Sequence, residues 1–238
     1  MDIRSIWQAV KNRNWPLFRH AFYRQLFRFV PHDGVDVVEE DWDYLLILDA
    51  CRYDIFKEVN WLDGELQKAE SKGSTSIEWL NKNFPGRYDD IVYVTTNPKA
   101  HPAGHEGHGE AFDADSVFHD VKHLYLEDDY QEHDATAPEH VTQEAIEAAE
   151  EYPDKRIIVH YMQPHGYSWK EIREYYRENL VRVLESVEEF IDAVDGKIII
   201  TADHGEGLGD HGIGHHPYGV YLSELVEVPW FEVEERPA

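Results

Sequence analysis

Four short, nearly continuous apolar runs punctuate the chain: Tyr44-Leu-Leu-Ile-Leu-Asp49, Ile91-Val-Tyr-Val-Thr95, Arg156-Ile-Ile-Val-His-Tyr161 and Lys197-Ile-Ile-Ile-Thr201. Runs of this length without polar alternation are what strands buried on both faces look like. Between them the apolar residues change period. In 167–194, Ile172, Tyr176, Leu180, Leu184, Val187 and Ile191 recur three or four apart, which predicts a helix. Shorter helices are predicted over 76–83 and 138–151. Strands alternating with helices predict an α/β fold: a doubly wound, mainly parallel sheet sandwiched by helices. The stretch from about 100 to 137 is rich in Gly, His and Asp and reads as an irregular insertion over one rim. No internal repeat is visible, and residues 34–238 are expected to form one domain behind a different kind of segment, 1–33.

That leading segment interleaves Ile6, Trp7, Val10, Trp15, Leu17, Phe18, Phe22, Leu26, Phe27 and Phe29 with bases. Ile6/Val10 and Phe18/Phe22/Leu26 keep helical spacing, broken at Pro16. Residues 1–30 hold six basic side chains against Asp2 alone, a local net of +5 within a chain whose formal net charge is −26. Two readings stay open: a helix docked on the acidic body, or a peripheral contact with an anionic membrane surface. No apolar run reaches the length of a signal-peptide core or a membrane span, so a cytoplasmic protein, peripheral at most to the inner membrane face, is expected.

The charge itself argues against an unaided nucleic-acid binder. It does not imply disorder, because 13% of the residues are aromatic and 42% are hydrophobic. Forty-eight acidic side chains with few lysines fit a protein adapted to high salt, where screening shortens the range of self-repulsion. One Cys, Cys51, excludes an intrachain disulfide and reads as a small buried thiol.

In open α/β sheets, ligands collect beyond the carboxyl ends of the strands. The polar residues ending the four runs are Asp49, then Thr95 and Thr96, then His160 and His165, then Asp203 and His204. Two carboxylates and imidazoles delivered to one edge suit a divalent cation with mixed oxygen and nitrogen ligands.

The segment Thr201-Ala-Asp203-His204-Gly205-Glu206-Gly207, followed by Gly209-Asp-His-Gly212, Gly214-His215 and Tyr221-Leu-Ser-Glu-Leu-Val-Glu-Val-Pro229, resembles the C-terminal signature of sulfatase-like proteins of the alkaline phosphatase superfamily. Leu46-Ile-Leu-Asp49-Ala-Cys51-Arg52-Tyr-Asp54 looks like that family's first metal-binding segment, and Met162-Gln-Pro164-His165 like its Pro-His segment. The resemblance runs from about Asp41 to Phe231. It implies Asp49, Asp203 and His204 as metal ligands and a nucleophile at a helix N-terminus a few tens of residues after Asp49. There the chain has Ser74-Thr75-Ser76 directly before an apolar helical stretch. Ser76 falls best in register, with Thr75 and Ser74 as near alternatives. A hydroxyl in that position gains from the positive end of the helix and from a nearby metal ion.

Two departures from the family pattern narrow the expectation. The Cys-x-Pro-Ser-Arg segment of formylglycine sulfatases is missing, which favours a Ser/Thr-nucleophile branch similar to phosphodiesterases, phosphonate monoester hydrolases and lipoteichoic-acid-synthase-like phosphotransferases. Two-metal members also carry an Asp four residues before the Pro-His histidine, where this chain has Tyr161. One divalent ion (Mn, Mg, Ca or Zn) is therefore expected, with His165 and His215 acting catalytically on the substrate oxygens. Arg52 and His160 are further substrate-binding candidates, although Asp54 is an equally good partner for Arg52. His211 and His216 are expected to orient their neighbours, and His101, His105 and His108 to be solvated loop residues.

The expected activity is metal-dependent hydrolysis of a phosphate or sulfate ester, of a small molecule or of a glycan- or lipid-linked group. Alternatives are a phosphotransferase or sulfotransferase-like enzyme working at a membrane surface, and a catalytically inert binding protein.

Overall fold

The computed structural model describes residues 15–104, 109–126, 136–165 and 172–234. Its helices are α1 (Trp15–Phe27), α2 (Tyr53–Val59), α3 (Ser76–Asn83), α4 (Ala114–Val117), α5 (Pro138–Glu151), α6 (Ile172–Ala193) and α7 (Ser223–Val226). The strands are β1 (Tyr44–Leu48), β2 (Gly64–Glu70), β3 (Tyr88–Thr95), β4 (Phe118–His123), β5 (Arg156–Tyr161), β6 (Ile198–Thr201), β7 (Gly207–Leu208), β8 (Gly214–His215) and β9 (Glu227–Val233). Seven of them form one sheet in the order β2-β9-β6-β1-β5-β3-β4, and β7 and β8 make a separate hairpin. From β6 to β4 all neighbours are parallel, while β9 lies antiparallel to both β6 and β2.

Alternate residues of β1 explain the apolar runs. Leu46 and Leu48 enter one core with Ile55 and Phe56 of α2, Val141 and Ala145 of α5, and Leu180, Leu184 and Phe190 of α6. Leu45 and Ile47 enter the other core, with Ile77, Trp79 and Leu80 of α3 and Phe118 of β4. Each fully buried side chain of this kind contributes about 1.5–3 kcal/mol of transfer free energy, which is why the central strands carry no polar alternation.

Besides the β7–β8 hairpin, three strands of the seven-stranded sheet were not expected from the pattern. β2 and β9 close one side of the sheet, and β4 forms the opposite edge from inside the stretch read as an insertion. The helix expected over 167–194 is described as Ile172–Ala193, its first turn lying outside the described residues.

Helix α1 docks on the body. Tyr23 and Phe27 pack against a small core of Ile213, Val220, Leu225 and Val226. The Phe27 and Tyr221 rings meet edge to face at 5.8 Å. The Arg19 guanidinium lies so close to Gly212 that a Cβ there would fall 1.6 Å from its Nη1.

Candidate active site

Asp49 is the first residue beyond β1, and its N–H donates to the carbonyl of Tyr161 at the end of β5 (3.0 Å), so the strand ladder itself holds it at the carboxyl edge. Ala50 then turns with a left-handed φ of 60°. That turn aims its N–H at Asp203 Oδ1 (3.1 Å), which also accepts from the His204 N–H (2.9 Å). Asp203, just past β6, is completely buried, and its Oδ2 accepts no hydrogen bond. Leaving a buried carboxylate oxygen unsatisfied is costly unless a cation meets it.

His204 is fixed in one tautomer. Its Nδ1 lies 2.8 Å from the Gly205 carbonyl, which can only accept, so Nδ1 carries the proton and Nε2 presents a lone pair. That Nε2 is 3.4 Å from Asp203 Oδ2 and 3.8 Å from Asp49 Oδ1. Ligand atoms of Asp49, Asp203 and His204 all lie within 4.8 Å of one another. Gly205 lets this segment close on α7: its N–H donates to Leu225 O at 2.8 Å, and a Cβ would fall 2.3 Å from the Glu224 carbonyl.

Burial opposes ionisation of Asp49, but His160, His165 and His204 outweigh it and hold its carboxyl far below the usual range. His160 is fully buried, with Nε2 3.5 Å from Asp49 Oδ2 and 3.7 Å from Asp203 Oδ2. The Tyr93 hydroxyl sits 2.6 Å from its Nδ1; accepting that proton leaves Nε2–H facing the two carboxylates. Asn97 Nδ2 donates to Asp49 Oδ2 at 2.7 Å. Two buried carboxylates, a lone-pair imidazole and an orphaned oxygen together fit a divalent cation.

The three hydroxyls before α3 have separate jobs. Thr75 caps the helix, its Oγ1 accepting from the Glu78 N–H at 3.3 Å. Ser74 is buried among the Glu78 carboxylate and the Pro217–Val220 backbone. Ser76, the first helical residue, points its Oγ at Asp49 Oδ2 (3.3 Å) and His204 Nε2 (3.4 Å).

A second group of ligand atoms within 4.8 Å of one another belongs to His165, Glu206 and His216. His216 Nδ1 is 3.1 Å from Glu206 Oε2, and His165 Nε2 is 3.9 Å from the same oxygen. The His216 ring lies 4.3 Å from that of His204 and 5.1 Å from that of His165, so the two groups adjoin. Burial opposes ionisation of Glu206, but His216, His165 and His204 keep its carboxyl below the ordinary range.

Of the expected substrate-binding residues, His215 and Arg52 stand elsewhere. His215 is exposed, with a left-handed φ of 59°, and it is His216 that turns into the site. Tyr161 points to Thr142 (2.9 Å) in the core, so no carboxylate comes from that position; Glu206 supplies one instead. Arg52 is buried against Asp54 (2.7 Å) and Asp210 (2.5 Å), so its charge is already matched within the protein. Burial pushes the Cys51 thiol well above its usual pKa, which leaves it inert. His211 pairs with Glu224 (2.8 Å) at the surface, and His101 lies half-buried beside His123. His105 and His108 lie outside the described residues. Asn97 and Glu206 were missed, although Asn97 directly follows the Thr95-Thr96 pair read as a strand end and Glu206 stands inside the Asp-His-Gly-Glu segment.

No family model and no curated protein matches the sequence. Solved structures do match in three dimensions. The soluble domain of lipooligosaccharide phosphoethanolamine transferase A from Neisseria meningitidis aligns with a TM-score of 0.55 at 11% identity, over 80% of this chain and 75% of that one. The chain has the alkaline-phosphatase-like fold. The C-terminal periplasmic domain of EptC from Escherichia coli, solved in complex with Zn, aligns over 84% of this chain and 76% of that one, with a TM-score of 0.51 and 13% identity. A 2-O GAG sulfatase aligns at 0.49 and 10% identity, over 84% and 66% of the two chains. In open α/β sheets ligands bind beyond the carboxyl ends of the parallel strands, which is where Asp49 and Asp203 stand.

Proposed function

We propose that the protein is a divalent-metal-dependent enzyme that cleaves a phosphate or sulfate ester through Ser76, with residues 34–238 as its catalytic domain. One observation carries the reading: of three adjacent hydroxyls, the Ser76 Oγ alone approaches the carboxylate and imidazole of the candidate ligand set, at 3.3 and 3.4 Å. Asp49, Asp203 and His204 would hold one divalent ion, which when bound supplies positive charge to the ester oxygens and lowers the pKa of a neighbouring hydroxyl.

The protein's own groups then divide the work. Ser76, at the N-terminus of α3, is aimed by its hydrogen bond to Asp49, and the first-turn amides favour negative charge on its oxygen. The Ser76 hydroxyl passes its proton to the Asp49 carboxylate that it hydrogen-bonds, and its oxygen bonds to phosphorus or sulfur as the bond to the leaving oxygen breaks. His165 and His216 donate hydrogen bonds to the non-bridging oxygens, and His216 gives a proton to the leaving oxygen. Water or an acceptor alcohol, losing its proton to His216, then attacks the covalent ester and frees the Ser76 oxygen, which recovers the proton held by Asp49. Glu206 orients His216, and His160 and Asn97 hold Asp49 in place.

Water is the acceptor in the first reading. Transfer to an acceptor alcohol on a lipid- or glycan-linked substrate is the second, supported by the lipooligosaccharide phosphoethanolamine transferase that shares the fold at a TM-score of 0.55. The test is a screen of aryl phosphate monoesters, diesters and sulfates with Mn²⁺, Mg²⁺, Ca²⁺ or Zn²⁺, with and without an added alcohol. Turnover that Ser76→Ala removes and Thr75→Ala preserves supports the proposal. Turnover unchanged by Ser76→Ala overturns it.

A further inference from the structure

Four of the large apolar side chains most exposed on the described surface lie within one short stretch: Phe22 (54%), Leu26 (51%), Phe29 (76%) and Val30 (48%). Phe18, Phe22 and Leu26 are four apart and share a face of α1, and the rings of Phe18 and Phe22 stack at 6.5 Å. Tyr23 and Phe27 occupy the opposite face, the one packed on the body. Phe22, Leu26, Phe29 and Val30 thus stand exposed away from that packing, grouped in one stretch rather than scattered singly over the surface.

The charge around it is equally uneven. Residues 3–32 contain no Asp or Glu in a chain of net charge −26. Arg19 and Arg28 are exposed beside the apolar stripe, the Arg28 guanidinium lying 5.8 Å from the Phe29 ring. Behind them a cleft of about 400 Å³ is walled by Arg24, Arg28, His32, Tyr218 and Tyr221. Arg24 lies 5.7 Å from the Tyr218 ring. Cations flanking an apolar stripe are what a helix needs to lie in the headgroup region of an anionic bilayer, while the rest of this body would be repelled from it.

We propose that the outward face of α1 docks the protein on an anionic lipid bilayer. Phe22, Leu26, Phe29 and Val30 enter the interface, and Arg28 and the Arg24 cleft meet lipid phosphates. Because α1 also packs on the segment from Gly212 to Tyr221, docking brings the rim that carries His216 next to the membrane. The inference builds on the proposed ester chemistry only in saying where that chemistry takes place.

The full chain is floated with vesicles of phosphatidylcholine and phosphatidylglycerol in equal parts, and with phosphatidylcholine alone. The wild type is expected to float with the anionic vesicles and far less with the neutral ones. Phe22→Glu/Phe29→Glu should lower the bound fraction by about tenfold or more, and Arg28→Gln/Phe29→Gln by a smaller factor, each with an unchanged thermal midpoint. Ser76→Ala should float as the wild type does, which separates failure of this inference from failure of the catalytic one. Wild-type protein left in solution, or double variants that float undiminished, would overturn the proposal. So would sedimentation showing a dimer that Phe22→Glu/Phe29→Glu dissociates, which would make the face an interface between two copies.

Discussion

The two adjoining clusters of carboxylate and imidazole are built from similar residues and differ in almost everything else. Asp49, Asp203 and His204 come directly off the ends of β1 and β6, are buried to within a few per cent, and point an unsatisfied Asp203 oxygen inward. His165, Glu206 and His216 come from loops, the two imidazoles are partly exposed, and Glu206 already hydrogen-bonds His216. The first cluster is a set of like charges forced together by the sheet, which a cation relieves. The second is an ion pair that satisfies itself and stays in contact with solvent. Strand ends give rigid placement, and loops give access.

The largest effect should fall where the helix meets the first cluster. Ser76→Ala is expected to lower kcat on the order of 10⁴-fold with bound metal retained, and steady-state kinetics with metal analysis checks it. Asp203→Asn should lose the metal and with it the stabilisation that ligand binding confers, about 2.7 kcal/mol at a hundredfold excess over Kd. Unchanged metal stoichiometry there would break the contrast between the clusters at its root. His216→Ala should lower kcat by about 10²-fold while His215→Ala leaves it near wild type. If His216→Ala also releases one of two bound ions, the second cluster is a metal site as well and the comparison narrows to solvent access.

The smallest effect concerns Glu78, which ties Ser74 and Tyr221 to the loop bearing His216. Burial pushes its pKa up, but the Ser74 N–H, the Tyr221 hydroxyl and Lys82 more than offset this and bring it below the usual value. A carboxyl lowered on folding stabilises above its unfolded pKa and loses that contribution as pH falls through the folded one. The thermal-midpoint gap between wild type and Glu78→Gln should therefore be full at neutral pH and close on acidification below about pH 4. Metal binding at the first cluster should be unaffected.

Legibility in the sequence tracked burial. β1, β3, β5 and β6 stand out because both faces are covered along their central residues, where the runs are nearly all apolar. β2, with Glu65, Lys68 and Glu70, and β4, with Asp120 and Lys122, lie at the sheet edges and carry charge, which hides them in any reading of apolar runs. Asp49, Asp203 and His204 could be grouped in the sequence because each follows an apolar run, whereas Ser76 was singled out from its neighbours only by the family resemblance; the structure brings all four together. His216 was not legible, since choosing between adjacent histidines needs the left-handed turn at His215. Glu206 was hidden for another reason: the position four residues before His165 holds Tyr161, and the carboxylate that lies near His165 comes from the loop after β6.

The clamp between Gly205 and α7 sets an order of events during synthesis. Asp203 and His204 are held from behind by Leu225 and by Ser71, whose hydroxyl bonds the Asp203 carbonyl and whose own N–H bonds Val226 O at 2.8 Å. β9, which lies between β6 and β2, comes later still. A ribosome that has made every residue of both clusters has not yet made the pieces that lock them. The residues of both clusters thus precede in sequence the segments that hold them, and a chain cut before α7 is expected to keep every cluster residue while leaving Asp203 and His204 without their clamp.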